Sequence, residues 1–526
     1  MKIISTAVMR ELDRKTIADY QVPGETLMDR AGFGVARFVD YLFQTKDFVS
    51  RSVRLVAGRG NNGGDIFAAA RYLRQMDYDV DILLAGSLQD VSGDALTHLG
   101  KLKSKHIRVD ELPTPQDWEE EIALTQRAQT TDAPVIVDGV LGTGIQGPAR
   151  GPASGAIRFI NAQANLSLVV AVDVPSGLDS DTGRAEGDAV MADYTLTMGL
   201  PKRGLVEPCA ADHVGRLEVI RIGIPDDLID QIESDLELIA PSDLHPLFSR
   251  RARTAHKGTF GHLLIVGGAV GFSGAIALAA RAALRSGVGL VTVVVPHSIV
   301  SVVAGLVPEA MVHGAAETDS GSLDSGMWPI WRERQDAFSA ILAGPGMTRQ
   351  AETAALVRMM LADTKVPLAL DADALNVFEG QMGELTKRTC PLVITPHPGE
   401  MARLLGRTAA EVQANRFEVA KEVAARARAV TILKGAGTLV AEAGRPLAIN
   451  MTGNPGMATG GMGDVLAGLL GGLLAQGLKP FDAARAAVFL HGRAGDQAAD
   501  EKSEPGIIAG DLIEELPYTF QDIIPR

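Results

Sequence analysis

Short apolar runs alternate with stretches in which apolar residues recur every three or four positions, from one end of the chain to the other. The runs predict buried strands and the periodic stretches predict helices. In the first half, strands are expected at 53–58 (VRLVAG), 79–86, 134–142, 168–177 and 192–199, with helices between them, as at 66–76 and 155–163. Strand, helix, strand in repetition builds a mainly parallel sheet covered on both faces. After 220–225 the pattern gives way to an acidic stretch with two prolines, DDLIDQIESDLELIAPSDLHPLF. It then restarts with a strand at 261–268, a Gly loop and a long helix at 274–287. Strands follow at 340–346, 366–375, 391–400, 430–444 and 446–450, and helices at 401–428, 464–476 and 481–499. Two α/β domains are expected, 1–225 and 245–526, joined by a linker of one or two short helices at 226–244.

Composition agrees with that division. A chain of 526 residues exceeds the roughly 250–300 at which one core stops growing. Apolar residues make up 46% and charged residues 22%, as in ordinary globular proteins. The net charge of -14 argues against a nucleic-acid binder. It leaves room for anionic small ligands, which backbone amides and a few placed cations can hold. Two cysteines, Cys209 and Cys390, point to a reducing compartment and read as buried, inert thiols. The N-terminus has too short an apolar run for a signal peptide. The most apolar region, 289–312, is cut by Pro296, His297, Gly305 and Pro308, which excludes a membrane span there. A cytoplasmic location is expected.

In the second half, polar or glycine-rich stretches end one strand after another: 267–275, 344–347, DADAL (371–375), TPHPGEMAR (395–403), KGAGT (434–438) and NPGMATGGMGD (454–464). Open α/β sheets bind ligands beyond the carboxyl ends of their strands, so six such stretches predict one site. The glycines let the backbone approach a ligand and offer free amides at the start of a helix beginning near Asp464, an anion hole. A carboxylate there can take a proton from a hydroxyl attacking phosphorus. The plainer alternative makes Asp464 an N-cap. No Gly-Lys-Ser/Thr follows, so the loop is not a Walker A motif.

With TPHPGEMARLL, LKGAGTLV and NPGMATGGMGDVLAG side by side, residues 245–515 resemble the ADP-dependent NAD(P)H-hydrate dehydratase family, which implies a ribokinase-like α/β fold. The resemblance implies ADP binding by Lys434, Gly435, Ala436, Gly437 and Thr438 together with Asn454, Gly460, Gly461 and Gly463. It further implies a hydrate pocket lined by Ala275, Gly346, His397 and Arg403, with Asp464 as base. Family members phosphorylate the C6 hydroxyl of the hydrated nicotinamide ring, and phosphate then leaves. Mg²⁺ is expected with the nucleotide phosphates.

The first half carries GRGNNGGD (58–65) between a strand and a helix. Its amides suit a diphosphate, and the plain alternative is a tight turn with Asp65 as cap. DGVLGTGIQGPARGP (138–152) contains a formal Gly-x-Gly-x-x-Gly, but Pro148 and Pro152 delay the helix, so it reads as a phosphate-cradling loop and not as a dehydrogenase fingerprint. Asp138 and Asp173 end two strands and are expected at one crevice. Together with the leader MRELDRKTIADYQVPGETLMDRAG (9–32) and LPKRGLVEP (200–208), residues 1–225 resemble the NAD(P)H-hydrate epimerase family, with a Rossmann-like three-layer sandwich. The resemblance implies hydrate contacts from Asn61, Asn62, Gly63, Gly64 and Asp65, from Gly142, Thr143, Gly144, Ile145, Gln146, Gly147 and Pro148, and from Asp173. It implies K⁺ at Asn62, Asp138 and Ser176. Asp173 is the expected catalytic acid, with Asp138 left open as the base. Lys202 is expected to be a solvated surface lysine, with an approach to an adenylate phosphate as the alternative.

The whole reads as a fusion that epimerises R and S hydrates and dehydrates the S form with ADP. Two alternatives stay open: a hydroxymethylpyrimidine- or sugar-kinase-like enzyme, and a first half that only binds. His491 reads as a core histidine, His256 and Lys257 as solvated. Long apolar helices lead us to expect a homo-oligomer.

Overall fold

The computed structural model describes residues 1–105, 107–128, 133–145 and 147–524; Gln146, one of the predicted loop residues, lies outside them. The chain divides into two compact units, Lys2–Ser234 and Asp235 onward, Met1 counting with the second.

The first unit is built on seven parallel strands: β1 (Ser52–Ala57), β2 (Asp79–Leu84), β3 (Arg108–Glu111), β4 (Val135–Gly139), β5 (Leu168–Val172), β6 (Tyr194–Met198) and β7 (Arg216–Ile220), in the order β3-β2-β1-β4-β5-β6-β7. Every residue of β4 is buried, as strands covered on both faces require. The order reverses between β1 and β4. A crevice opens at such a switch point beyond the carboxyl ends, and the loops after these two strands carry Asn61–Asp65 and Gly142–Pro148.

The second unit has ten strands: β8 (Leu236–Leu238), β9 (His262–Val266), β10 (Leu290–Pro296), β11 (Met311–Ala315), β12 (Ala340–Ala343), β13 (Leu368–Leu370), β14 (Leu392–Ile394), β15 (Val430–Leu433), β16 (Thr438–Ala441) and β17 (Leu447–Asn450). Their order is β11-β10-β9-β12-β13-β14-β15-β16-β17-β8, and β16 alone runs against the rest. All six predicted stretches follow strands of the common direction, so they share one edge of the sheet.

Two expectations need correction. The strand expected over 430–444 is a hairpin, β15 and β16, turned by KGAGT with Gly435 at φ +131° and Gly437 at φ +62°. The single helix expected over 401–428 is three, broken at left-handed Gly406 and at Asn415. The stretch 226–244 holds two short helices, Asp226–Asp230 and Pro241–Leu244, as expected, and between them β8 pairs with β17 at the sheet edge.

The helix Met462–Ala475 buries every residue from Val465 to Ala475. It lies against the helix Ser273–Arg285, where a Cβ on Gly468 would stand 2.0 Å from the Ala279 carbonyl oxygen. Its apolarity is therefore taken up inside its own unit and gives no argument for a second copy. Gly468→Val must push the two helices apart, at a cost of about 1–3 kcal/mol. We expect Tm, measured by calorimetry, to fall by roughly 2–4 °C per kcal/mol. No helix among the described residues is long and apolar enough to cross a membrane.

Candidate active sites

Asp464 is not an N-cap. The helix Met462–Ala475 starts two residues earlier, with left-handed Gly461 (φ +89°) as its cap, and Asp464 sits in the first turn. The first amides of a helix have no partner within it, and a carboxylate in the first turn is held by the same positive end. Burial, and then the nearby Asp371 carboxylate, push the Asp464 pKa up to about 7, although Lys434 opposes them.

Lys434 is the hub of this site. Its Nζ donates to Asp371 Oδ1 at 2.9 Å and lies 3.7 Å from Glu400 Oε2. A Cβ on Gly463 would stand 3.5 Å from that Nζ, so the ammonium lies directly beside the opening turn of the Asp464 helix. Burial alone would depress the Lys434 pKa, but Asp371 and Glu400 raise it, and the amine stays charged. Thr395 Oγ1 donates to Asp371 Oδ1 at 2.5 Å. Glu400 closes the capping box of the helix Pro398–Leu405, accepting from the His397 amide at 2.8 Å while the His397 ring accepts from Gly399 and Glu400. Burial lowers the His397 pKa.

Gly346, Ala275 and the backbone of Phe272 meet beyond β9 and β12: a Cβ on Gly346 (φ +64°) would stand 3.4 Å from Ala275 Cβ and 2.7 Å from Phe272 O. Arg403 Nε donates to Asn376 Oδ1 at 2.9 Å. Asp373 joins this group to the rest by accepting from the Thr348 amide at 2.9 Å. Asn454 instead serves its own turn, accepting from Gly456 and donating to Asp496. Gly460 has open space where a side chain would be.

In the first unit the helix begins at Asn61, not after Asp65, with Gly60 as its cap. Gly63 and Gly64 are glycine for packing: a Cβ would meet Gly58 O at 1.9 Å and Met28 Sδ at 2.4 Å respectively. Asn62 Nδ2 donates to Leu141 O and Val172 O, both at 2.9 Å, which ties together the ends of β4 and β5. Arg10 holds the loop through Thr143 O at 2.8 Å.

Asp138 and Asp173 have different surroundings. Asp138 is wholly buried and accepts from Ser176 Oγ at 2.6 Å, Ser176 N at 2.8 Å and Val140 N at 3.2 Å. Burial raises its pKa to about 6 against those bonds. Its described partners are all neutral, and a buried carboxylate without a countercharge is costly. Asn62 Nδ2 and Ser176 Oγ both donate to Leu141 O, which brings Asn62, Ser176 and Asp138 together at the ends of β4 and β5.

Asp173 (φ +67°) is ion-paired to Lys202. Lys202 is not solvated: only 1% exposed, it also donates to Thr197 Oγ1 at 3.1 Å and Met198 O at 2.8 Å. Two more acids act on this pair. Burial, then Asp173 and Asp13, push the Asp65 pKa well up. Asp13, on the leader helix Thr6–Ala18, has its pKa raised by burial to about 6, and its Oδ1 is buried without a partner.

Each unit thus presents a carboxylate beside a lysine, Lys202 buried and Lys434 largely covered, at the carboxyl edge of a mainly parallel sheet. The NAD(P)H-hydrate dehydratase family model matches residues 263–518, and that of the YjeF-related protein N-terminus matches residues 24–204. Bifunctional NAD(P)H-hydrate repair enzymes of Moorella thermoacetica and Coxiella burnetii are 40% and 36% identical to the chain, covering 99% and 97% of it and 97% of each relative. The chain belongs to the bifunctional NAD(P)H-hydrate repair enzyme family. The kinase and binding-module alternatives fall with that finding. Among solved structures, an ADP/ATP-dependent NAD(P)H-hydrate dehydratase of Bacillus subtilis, co-crystallised with ATP and Mg²⁺, is 30% identical over 54% of this chain and 98% of its own, with a TM-score of 0.48.

In this repair enzyme the sequence reading missed Asp371, Glu400 and Asp13, and misjudged Lys202. Asp371 and Glu400 stand in stretches already singled out, DADAL and HPGEMAR, and strand-end position was the available signal. His491 is a core histidine as expected, bonded to Met462 O at 2.9 Å, with burial lowering its pKa to about 4. Cys390 is buried, but Cys209 is exposed, contrary to expectation. Lys257 is exposed, in the short turn leading into β9.

Proposed function

We propose that Asp464 is the base of an ADP-consuming dehydration of the S hydrate, and that Asp173 works an epimerisation in the first unit. The observation that carries the first assignment is an acid with a pKa near 7, in the first turn of a glycine-opened helix, beside the largely covered Lys434. A general base works best when its pKa lies near the operating pH.

Lys434–Thr438 and the 454–463 loop would hold ADP, and Mg²⁺ would ride on its phosphates. Asp464 takes the proton of the C6 hydroxyl as that oxygen bonds to the terminal phosphorus of ADP and AMP departs. The C6–O bond then breaks, the ring nitrogen supplying the electron pair, and phosphate leaves. Loss of the C5 proton restores the dihydropyridine. Lys434 and the helix amides face the charge that moves with the phosphoryl group.

In the first unit, inversion at C6 needs its C–O bond broken and remade on the other face. Asp65, whose carboxyl burial holds well above its ordinary pKa, donates to the leaving oxygen. Asp173 receives the proton of the returning water, and Lys202 fixes its orientation. K⁺ at Asn62, Asp138 and Ser176 would supply the charge that Asp138 lacks. Two free thiols without a disulfide suit a cytosolic location.

The test is recovery of 340 nm absorbance from S-NADPH hydrate with ADP and Mg²⁺. Since the carboxylate must be ionised, kcat/KM rises with pH through about 7. A rate flat from pH 5.5 to 8.5 removes Asp464 as the titrating base. No ADP-dependent recovery at all removes the whole assignment.

A further inference from the structure

Arg416 is the first residue of the helix Arg416–Ala427 and is only 4% exposed. No carboxylate pairs with it among the described residues. Its partners are Gln413 Oε1 at 2.7 Å and three backbone carbonyls: Lys434 O at 3.3 Å, Leu433 O at 3.4 Å and Gly437 O at 3.2 Å. Three physical penalties coincide here. The charge is buried, it lacks an anion, and it stands at the positive end of a helix. Burial brings its pKa down to about 10, which still leaves it charged at neutral pH. A residue kept against three costs points to a gain made elsewhere.

The carbonyls it holds belong to the turn KGAGT. In a trans peptide the C=O and the following N–H point in opposite directions. A carbonyl of Lys434 turned in toward Arg416 therefore turns the Gly435 amide outward, on the exposed side of the hairpin. Gly437 O pins the far end of the same turn. The peptide before it behaves likewise: Leu433 O faces Arg416, while the Lys434 amide reaches Pro396 O at 3.0 Å and fixes the base of the Lys434 side chain. Glycine at 435 is needed for this fit, because a Cβ there would stand 2.8 Å from Arg416 Nη1.

We propose that Arg416 is a positioning residue for the nucleotide: it aims the amides of the KGAGT turn and sets an unneutralised positive charge behind them, so that the turn receives a nucleoside diphosphate. The inference rests on the reading of this site as the ADP site. Arg416 touches no reacting atom, so its loss weakens nucleotide binding and leaves the chemical step nearly intact.

The test compares Arg416→Met, Arg416→Lys and Gly435→Ala in the full-length enzyme, by ADP titration calorimetry and by dehydration kinetics with ADP and hydrate varied separately. We expect Kd and KM for ADP to rise by about 10- to 100-fold in Arg416→Met and Gly435→Ala, with kcat and the KM for hydrate within about twofold. Lysine keeps the charge but lacks the planar fork, so Arg416→Lys should recover less than half of that loss on a logarithmic scale. Gly435→Ala keeps the arginine, so it reports on the turn even if Arg416→Met fails to fold. Unchanged ADP affinity in folded variants, a fall confined to kcat, or full rescue by lysine overturns the proposal. Wild-type enzyme that ignores ADP overturns the reading beneath it instead.

Discussion

Asp464→Asn should cut kcat for ADP-dependent dehydration by about 10²- to 10⁴-fold, the range lost with a general base, while R-to-S conversion in the first unit continues unchanged. The amide keeps the shape and removes the proton acceptor. The same substitution should make the second unit more stable, and the pH dependence gives the sign. A carboxyl raised from its ordinary value of 3.8 to about 7 binds its proton more tightly in the folded state than in the unfolded one. Stability is therefore lost as pH rises from about 4 to about 7, and the loss is complete above that. The Tm difference between Asp464→Asn and wild type should be positive at pH 8 and vanish near pH 4, by scanning calorimetry. Normal turnover in the variant would end the assignment of the base. A negative Tm difference at pH 8 would show that the carboxylate has a cation partner stronger than the burial that opposes it.

Much of this site is local in sequence and was legible there. The parallel sheets follow from apolar runs too short for helices. The six strand-end stretches share one edge because each follows a strand of the same direction. What could not be read is tertiary. Lys202 looks like any surface lysine until β6 and the end of β5 bring it to Asp173, which lies 29 positions away in the chain. Arg416 sits in RFEVAKEVAARA, a helix whose charges otherwise face water, and only the hairpin packed over it makes it functional. The starts of both acid-bearing helices were misplaced for one reason. Asn-Asn-Gly-Gly and Gly-Met-Gly are poor helix formers, yet close packing overrides propensity, Gly63 on Gly58 and Gly461 on Leu278. That shift changes the chemistry. It moves Asp464 off the cap and into the first turn, and Asp65 past the first turn, so that neither carboxylate is the cap of its helix.

Asp173→Asn should lower hydrate epimerisation by at least about 10³-fold, followed by chromatography of the separated R and S forms, with ADP-dependent dehydration of pure S hydrate unaffected. Lys202→Met should do the same for a different reason. Removing one partner of a buried ion pair leaves the other uncompensated and costs about 3–5 kcal/mol, so each single variant is also expected to lose stability in the first unit. The double variant Asp173→Asn/Lys202→Met separates the two effects. With neither charge left behind it should regain most of the lost stability, since well-packed neutral replacements of buried pairs are often tolerated, yet it should stay inactive. Asp138→Asn provides the contrast. Asp138 spends both oxygens on Ser176 and Val140, so its loss should loosen the 141–148 loop and raise the K⁺ concentration needed for half-maximal rate, without removing the acid on which inversion depends. If Asp173→Asn epimerises normally while Asp138→Asn is dead at saturating K⁺, the roles given to the two acids are reversed.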